Sequence, residues 1–349
     1  MAGGGDETDL SDAELIAQGE ALCRSDELLP GVRLLRKVTE KELLTREHGE
    51  FLRRGTLSEE LRANLTASSL DGWKKQGERH GNRDFITYYK VEENGQLWIR
   101  IDSVIEASLF VPFLATMNET DLYETWFPKW TVPRLGLNRS VKLAQPNRCS
   151  QVVQLTIDLP FPLSRREIIF WGYAEEDCDV NRTSAAKLIT PQQQQPAQKE
   201  QHEKPSWDFG DGAASFETLI IPPVDRGVVR MPFEADFLFQ TCPDDHPALL
   251  RSKAHYPEHE KKILLNCMIM CDPLILLFPH FLLNFGTRTA VPGIWAMILS
   301  IAEQVRDGQR PAHAERIESK REEIYNWLEE RAALITGIAA ATPAVQPKS

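Results

Sequence analysis

Motifs that mark common enzyme and nucleotide-binding sites are missing from this 349-residue sequence. It contains no GxGxxG, no GxxxxGKS/T, no GxSxG and no HExxH, which disfavours a dinucleotide fold, a P-loop, a hydrolase nucleophile elbow and a zincin helix. The six cysteines include no CxxC pair, so free thiols are the better interpretation than a metal site. We therefore expect no catalytic residue, no metal ion and no cofactor.

Positive charge is also scarce. The 40 Lys and Arg residues are outnumbered by 51 Asp and Glu residues, which gives a formal charge of −11. Proteins that track nucleic-acid phosphates rely on a stripe of Lys and Arg, so we expect no nucleic-acid partner. Residues 1–10 have no basic segment followed by an apolar run. This predicts a chain without a secretory signal, and therefore a cytoplasmic protein with reduced cysteines.

An uninterrupted membrane-length apolar run is missing too. Residues 263–286 come close, but Asp272, Pro273 and Pro279 interrupt the middle of the segment. A charge and two helix breakers are costly in lipid. We therefore predict a strand that ends near Cys271, followed by a helix that begins near Leu274 or Pro279.

Both ends of the chain carry helical patterns. Residues 11–70 are rich in Leu, Glu, Lys and Arg, and Ser11 and Glu14 resemble a capping box before leucines at helical spacing. We assign residues 1–75 to a helical N-terminal region. Residues 308–349 form a C-terminal region that contains one helix, over 311–331, and a loose tail.

Between these regions apolar residues recur at every second position, which is typical of strands with one buried and one solvent-exposed face. Residues 106–126 return to a helical pattern, and 278–305 form a long apolar helical stretch. We expect disorder over 179–212, which contains PQQQQP, and a solvated loop over 243–260. The predicted strands are 85–93, 97–106, 132–145, 151–159, 167–175, 216–222, 228–240 and 263–271.

Four segments in this order resemble StAR-related lipid transfer (START) domains. LWIRID at 97–102 precedes a helical stretch that ends in Tyr-Glu-Thr-Trp at 123–126, and 152–173 resembles the family's strand pair with its Pro-x-Ser-x-Arg turn. Val-Val-Arg at 228–230 is similar to the family's Val-Arg strand. Asp-Pro at 272–273, with Pro279 and Leu-Asn at 283–284 beyond it, resembles the start of the family's lid helix. Glu167 stands where the family usually has Asp. The resemblance covers about residues 76–307.

This resemblance implies an α+β helix-grip fold, in which a curved antiparallel sheet wraps a long C-terminal helix and encloses a cavity. It also implies that the protein binds one hydrophobic lipid, a phospholipid or a sterol, without catalysis, and transfers it between membranes during transient membrane contact. Burial of apolar lipid surface is sufficient to drive such binding. We expect the lipid to contact Ile99, Arg100, Ile101, Asp102, Val153, Leu155, Ile157, Arg230, Met231, Phe233, Phe237, Phe281, Leu282, Phe285, Met297 and Ile298.

Two alternatives to lipid transfer remain at this point. One is an enzyme of cyclase or hydrolase type on the same fold, with Asp102, Glu106 or Arg230 in the cavity. The other is a lipid-regulated scaffold whose helical flanks bind a protein partner. The polar lipid-binding candidates also have a structural alternative, because Arg100 and Asp102 could form an ion pair on the outer face of the sheet.

Three residues of the long apolar helical stretch, Gly286, Pro292 and Gly293, are positions where a helix can bend. We expect the helix to open there and admit a ligand.

Overall fold

A computed structural model describes residues 10–67, 69–79, 84–177, 183–189, 221–243, 245–246, 262–275 and 280–336. The helices in these ranges are α1 (Asp12–Arg24), α2 (Leu28–Lys37), α3 (Arg46–Thr66), α4 (Phe110–Asn118), α5 (His280–Arg306), α6 (Pro311–Ser319) and α7 (Asn326–Thr336). The strands are β1 (Lys74–Arg79), β2 (Asp84–Val91), β3 (Leu97–Glu106), β4 (Lys129–Thr131), β5 (Arg134–Asn147), β6 (Ser150–Asp158), β7 (Arg165–Asp177), β8 (Thr183–Ile189), β9 (Val228–Arg230), β10 (Phe233–Thr241) and β11 (Lys262–Cys271).

Local sequence explains where the first helices begin and how closely they pack. The predicted capping box is confirmed, because the Ser11 side chain accepts from the Glu14 amide and the Glu14 carboxylate accepts from the Ser11 amide. Two glycines then bring α1 and α2 together. A Cβ on Gly31 would lie 2.5 Å from the Cys23 Sγ, and one on Gly19 would lie 2.9 Å from Leu35. Larger residues would force these two helices apart.

The strands form one sheet in the order β1-β2-β3-β11-β10-β8-β7-β6-β5-β4. All neighbours along this path are antiparallel, as the alternating pattern predicts. The exception lies off the path, where β9 pairs with β7 in parallel. The prediction of disorder over 179–212 is wrong at residues 183–189, which form β8 in the middle of the sheet.

Other differences from the predicted elements are local. The edge strand β1 has the sequence KKQGER, which carries no apolar alternation to reveal it. Residues 221–222 are not a strand, and the rest of the predicted strand 216–222 lies outside the described residues. So do most of the predicted loop 243–260 and the rest of 179–212. The apolar run divides as predicted, with β11 ending at Cys271 and α5 beginning at His280.

The sheet curves around α5. Helix α5 contacts β1 through residues 286–290, and its Phe285 ring packs edge-to-face on Trp130 of β4 at 5.8 Å. These are the two edge strands, nine positions apart in the strand order, which would put them about 43 Å apart in a flat sheet. One helix can touch both only if the sheet wraps it. The predicted α+β helix-grip fold is therefore confirmed.

Both faces of the sheet are covered. The concave face packs on α4 and α5 in the main core, where Phe113, Trp295 and Leu299 are buried. On the convex face, α2 contacts β7, and α3 packs Leu61 and Leu65 against Leu238 of β10. Within the described residues, α5 has the length and composition of a membrane span, although a core helix passes the same test.

The C-terminal helices complete the structure at one end of the sheet. Helices α6 and α7 contact α4, and α7 also contacts β10. Ala332 and Ile335 of α7 belong to the main core, and the Thr241 hydroxyl donates to the Ile335 carbonyl at 3.2 Å. Because these contacts reach the core, the end of the chain forms part of a wall of the interior.

Candidate functional site

A cavity of about 150 Å³ lies between α4, the sheet and the C-terminal helices. Its walls come from α4 and the turn after it, from the start of β6, from the middle of β7 and β10, and from α7. The lining residues are Phe110, Phe113, Leu114, Met117, Asn118, Thr120, Tyr123, Arg148, Cys149, Ser150, Gln151, Phe170, Gly172, Tyr173, Ala174, Leu188, Phe237, Phe239, Ile324, Trp327, Leu328, Arg331 and Ile335.

The inner part of the cavity is aromatic. Phe110 and Phe113 of α4 meet Phe239 of β10, with ring centroids 5.1 and 5.8 Å apart. Phe237 lies two residues before Phe239 on the same strand and therefore points to the same concave face. Rings in these tilted and edge-on arrangements bury large apolar area and form a stiff wall. This part of the cavity suits an apolar group.

Polar atoms are few on the cavity wall. Among the described residues, the Thr120 hydroxyl and the Gln151 carbonyl oxygen are buried with no hydrogen-bond partner. The Tyr123 hydroxyl donates to the Met117 carbonyl at 2.7 Å, and burial followed by the charge of Glu119 raises the pKa of Tyr123 above its ordinary value. Tyr123 therefore stays neutral.

A buried carboxylate joins the C-terminal helices to the end of α4. Glu119 is fully buried and accepts from the Lys320 Nζ at 2.6 Å and from the Tyr325 hydroxyl at 2.7 Å. Burial opposes ionisation of Glu119, but the hydrogen bonds from Lys320 and Tyr325 outweigh it and hold the pKa of the carboxyl below its usual value. The ionised carboxylate therefore fixes the position of α7 over the cavity.

Two arginines and a tryptophan form the outer part of the cavity wall. The guanidinium carbons of Arg148 and Arg331 lie 5.5 and 5.7 Å from the Trp327 ring centroid. Arg148 pairs with Asp26 at 3.0 Å, and Arg331 pairs with Glu27 at 3.1 Å. The two acids belong to the turn between α1 and α2. The N-terminal and C-terminal regions therefore meet at the cavity.

Most of the predicted apolar sheet residues lie on the concave face, but Phe237 alone among them lines this cavity. Residues Ile99, Ile101 and Phe237 are buried in the main core with α5. A second concave-face cluster contains Val153, Leu155, Ile157, Met231 and Phe233. These residues fill the space between the sheet and α5.

The predicted α5 residues divide into three groups. Leu282 and Ile298 are buried, and Phe285 packs on Trp130. Phe281 is 63% exposed and Met297 is 36% exposed. Neither Phe281 nor Met297 lines the cavity in this structure, and their contact with a lipid stays a prediction.

The three predicted polar residues lie on the convex face. Arg100 donates to Asp102 at 3.1 Å and to the carbonyls of Leu65 and Ala67 at the end of α3. The Arg100–Asp102 contact is therefore the outer-face ion pair that was the structural alternative. The positive charge of Arg100 also stabilises the negative end of the α3 helix dipole. Asp102 also accepts from Asn266 at 2.7 Å. Neither residue lines the cavity in this structure, and headgroup binding by them stays a prediction.

Arg230 likewise forms a structural contact. It pairs with Glu167 at 2.7 Å and donates to the Pro222 carbonyl at 2.7 Å. Glu106 pairs with Arg306 at 2.8 Å near the surface. The enzyme hypothesis that placed Asp102, Glu106 or Arg230 in the cavity is therefore wrong for these residues. Among the described residues, no cluster of three or more His, Cys, Asp or Glu side chains could hold a metal ion.

Sequence reasoning missed most of the cavity lining. The largest omission is the cavity-facing side of residues 324–335, which includes Trp327 and Arg331. The sequence assigns these residues to a C-terminal flank outside the lipid-binding domain. Its apolar spacing of Ile324 and Leu328 at i and i+4 is a helical signal. That signal shows which residues share a face, but it does not reveal that the face closes a cavity with Phe110, more than 200 residues earlier in the chain.

The structure is that of a helix-grip protein with a largely apolar, partly open cavity between α4, the sheet and α7. Three solved structures similar to this chain are of StAR-related lipid transfer proteins. Human STARD10 has 12% identity and a TM-score of 0.48, over 81% of this chain and 89% of that one. Human StAR-related lipid transfer protein 5 has 10% identity and a TM-score of 0.45, over 74% and 99%.

The third structure is a STAR-related lipid transfer protein from Xanthomonas axonopodis, with 13% identity and a TM-score of 0.42, over 67% and 100% of the two chains. These proteins belong to the family that the sequence motifs resemble. Identities of this size bear on the fold alone. No protein-family model and no curated protein sequence matches the chain.

Proposed function

We propose that this protein binds one hydrophobic lipid, a phospholipid or a sterol, in its internal cavity and transfers it between membranes without catalysis. The observation that carries the proposal is the cavity itself, with its aromatic wall of Phe110, Phe113, Phe237 and Phe239. Apolar lipid surface gains about 25 cal/mol for each Å² removed from water. A cavity of this composition therefore binds by burial alone.

The size of the cavity requires movement during loading. A volume of about 150 Å³ is that of an engineered protein cavity that holds benzene, whereas ligand pockets commonly measure about 300–1,000 Å³. A whole lipid needs more room. Helix α7 supplies one wall and contacts the rest of the protein mainly through α4 and β10, so its displacement would enlarge the cavity with little disturbance of the sheet.

Exposed apolar side chains support transient membrane contact. Val132 is 87% exposed and Phe161 is 96% exposed. They lie in the β4–β5 and β6–β7 turns, which antiparallel pairing places at the same end of the sheet. Arg166 donates to the Pro273 carbonyl at 2.7 Å, which places the chain just before α5 near these two turns. Exposed apolar groups of this kind suit a membrane surface.

Mass spectrometry of lipids that copurify with the protein tests binding. We expect one lipid per chain after expression in lipid-rich cells, and consistently empty protein would refute the proposal. A pair of alanine-to-phenylalanine variants tests whether the lipid lies in the cavity. Ala174→Phe, which fills the lining, should reduce lipid occupancy, whereas Ala13→Phe on the exposed face of α1 should not.

Transfer is tested separately with donor and acceptor vesicles. We expect the protein to speed the movement of a fluorescent phospholipid or sterol, and we expect Phe161→Asp to slow it while leaving lipid occupancy unchanged. If Phe161→Asp transfers lipid as fast as the unaltered protein, the membrane contact is not at this end of the sheet. A fluorescent fusion would check the cytoplasmic location that the sequence predicts.

Opening of α5 is part of the proposed cycle. Residues Gly286–Ala290 form a π-turn inside this helix, next to Pro292 and Gly293, and such turns often accompany functional bends. Hydrogen exchange over 280–306 should rise when vesicles are added. Equally slow exchange with and without vesicles would argue against opening here.

Partner binding through the flanks has less support. Helix α1 packs on α2, α2 and α3 pack on the convex face, α6 contacts α4, and α7 lines the cavity, so both flanks contact the rest of the protein. The binding of a protein partner by these regions stays a prediction.

A further inference from the structure

We propose that the cavity binds an amphiphile with an acidic head, a carboxylate or a phosphate, and that Arg148 and Arg331 hold that head. This inference rests on the proposed function, because it names the class of lipid that the same cavity takes. Among the described lining residues, Arg148 and Arg331 are the ones with a formal charge. The lining therefore has two positive charges in a protein whose net charge is −11.

The two arginines share one aromatic neighbour. Both guanidinium groups lie over the Trp327 ring, with their central carbons 5.5 and 5.7 Å from the ring centroid. An aromatic face attracts a guanidinium and shields one side of it from water. Their side chains are 35% and 22% exposed, so water screens their charges less than it screens those of a surface arginine.

The carboxylates that balance these charges are outside the cavity lining. Asp26 and Glu27, in the α1–α2 turn, pair with Arg148 and Arg331 at 3.0 and 3.1 Å. A guanidinium carries five N–H donors in a fixed fork and can hold more than one acid. An anionic head could therefore join these pairs or displace the carboxylates, whereas a cationic head would meet two like charges.

The rest of the lining suits the other end of such a molecule. The phenylalanines of α4 and β10 provide an apolar region, and the arginines lie at the β5–β6 turn and on α7. An apolar wall with positive groups on one side selects molecules that have an acid at one end and a hydrocarbon at the other. A neutral sterol or alcohol would leave the two arginines with their present carboxylate partners and gain nothing from them.

A ligand comparison in the unaltered protein tests this inference without a mutation. Isothermal titration calorimetry at neutral pH would use decanoate, decyl phosphate, decanol and decyltrimethylammonium, which carry a nine-carbon alkyl chain in decanoate and a ten-carbon chain in the other three. We expect at least one of the two acids to bind at least about tenfold more tightly than decanol, as one added charge-assisted hydrogen bond would give. The preference should shrink as salt is added. Binding of only one acid would identify its head as the one that the arginines hold.

Variants then test whether Arg148 and Arg331 supply the positive charge that binds the acid. Arg148→Gln with Arg331→Gln should abolish the preference for the acid and leave decanol affinity within about twofold, because the aromatic wall is unchanged. Arg148→Lys with Arg331→Lys keeps the charges and should retain part of the preference, which separates charge loss from a folding defect. Arg36→Gln removes an exposed arginine that pairs with Glu59 at 2.6 Å and should change nothing.

Glu27→Gln provides a test in the opposite direction. Removal of the competing carboxylate should tighten decanoate binding several-fold, an effect that a purely structural ion pair would not produce. If decanol and both acids bind equally, or if the double glutamine variant keeps the preference, this inference is overturned while lipid binding stands. If none of the four probes binds, the proposed function fails together with it.

Discussion

Glu119→Gln should loosen the C-terminal helices from the domain. In the native protein this fully buried carboxylate accepts from the Lys320 Nζ at 2.6 Å, from the Tyr325 hydroxyl at 2.7 Å and from the Asn118 amide at 3.0 Å. Glutamine has nearly the same shape and can still accept from Tyr325. The substitution therefore removes the charge and leaves the packing in place.

The expected cost follows from these contacts. Hydrogen bonds to a charged group contribute about 1.5–3 kcal/mol each, and breaking a buried ion pair costs about 3–5 kcal/mol. The Lys320 side chain is 21% exposed and can turn towards water, which reduces the cost. We expect Glu119→Gln to lower the free energy of unfolding by about 2–3 kcal/mol.

The stability difference between the native protein and Glu119→Gln should depend on pH in a definite direction. The pKa of Glu119 is held below its ordinary value, with burial opposed and outweighed by the hydrogen bonds from Lys320 and Tyr325. A carboxyl whose folded pKa is lowered stabilises the protein above its unfolded pKa, and this contribution is lost as pH falls through the folded pKa. The difference between the two proteins should therefore be constant between about pH 5 and pH 7, below the titration of the neighbouring Lys142, and shrink below about pH 4.

Equilibrium urea denaturation measures the change, and hydrogen exchange locates it. Amides of α7 should exchange faster in Glu119→Gln, while those of β3 and β11 should be unaffected. The control is Glu318→Gln, which removes an exposed pair with Arg321 at 2.7 Å and should cost less than about 0.5 kcal/mol. A loss for Glu119→Gln no larger than that of the control would refute the role assigned to this carboxylate.

Four further substitutions have expected outcomes in urea denaturation. Gly31→Ala should destabilise by about 1–3 kcal/mol because its Cβ would lie 2.5 Å from the Cys23 Sγ, whereas Gly49→Ala, with no atom within 4 Å, should stabilise α3 by about 0.5–1 kcal/mol. Phe113→Ala should cost about 3–5 kcal/mol because Phe113 is 0% exposed. Burial lowers the pKa of Lys142 to about 8. Stability should therefore rise relative to Lys142→Met between about pH 8 and 10, because the unfolded chain binds the proton that the native protein has released.

The sequence by itself determined the local structure and the faces of the strands. Alternation along residues 228–240 predicts an antiparallel strand with Phe237 on the dry face, which is right for β10 and wrong for residues 228–230, because these form the separate strand β9 and pair in parallel with β7. The interruption at Asp272 and Pro273 divides the apolar run. The Ser11–Glu14 capping box marks the start of α1. These features are predictable because they depend on backbone geometry and on residues close together in the chain.

Only the tertiary structure decided which dry-face residues line the cavity. Ile101 and Phe237 have the same alternation, yet Ile101 is covered by the core around α5 and Phe237 lies open to the cavity. The difference depends on what packs opposite each side chain. The period of a strand gives the direction of a side chain and contains no information about that neighbour.

The charged end of the cavity depends on contacts that are still more distant in sequence. Arg148, Trp327 and Arg331 come together only when the β5–β6 turn meets α7, and Asp26 and Glu27 reach them because they precede α2, which packs on β7. Each of these residues looks like an ordinary surface residue in the sequence. Their joint position follows from the curvature of the sheet, which brings both ends of the chain to one cavity.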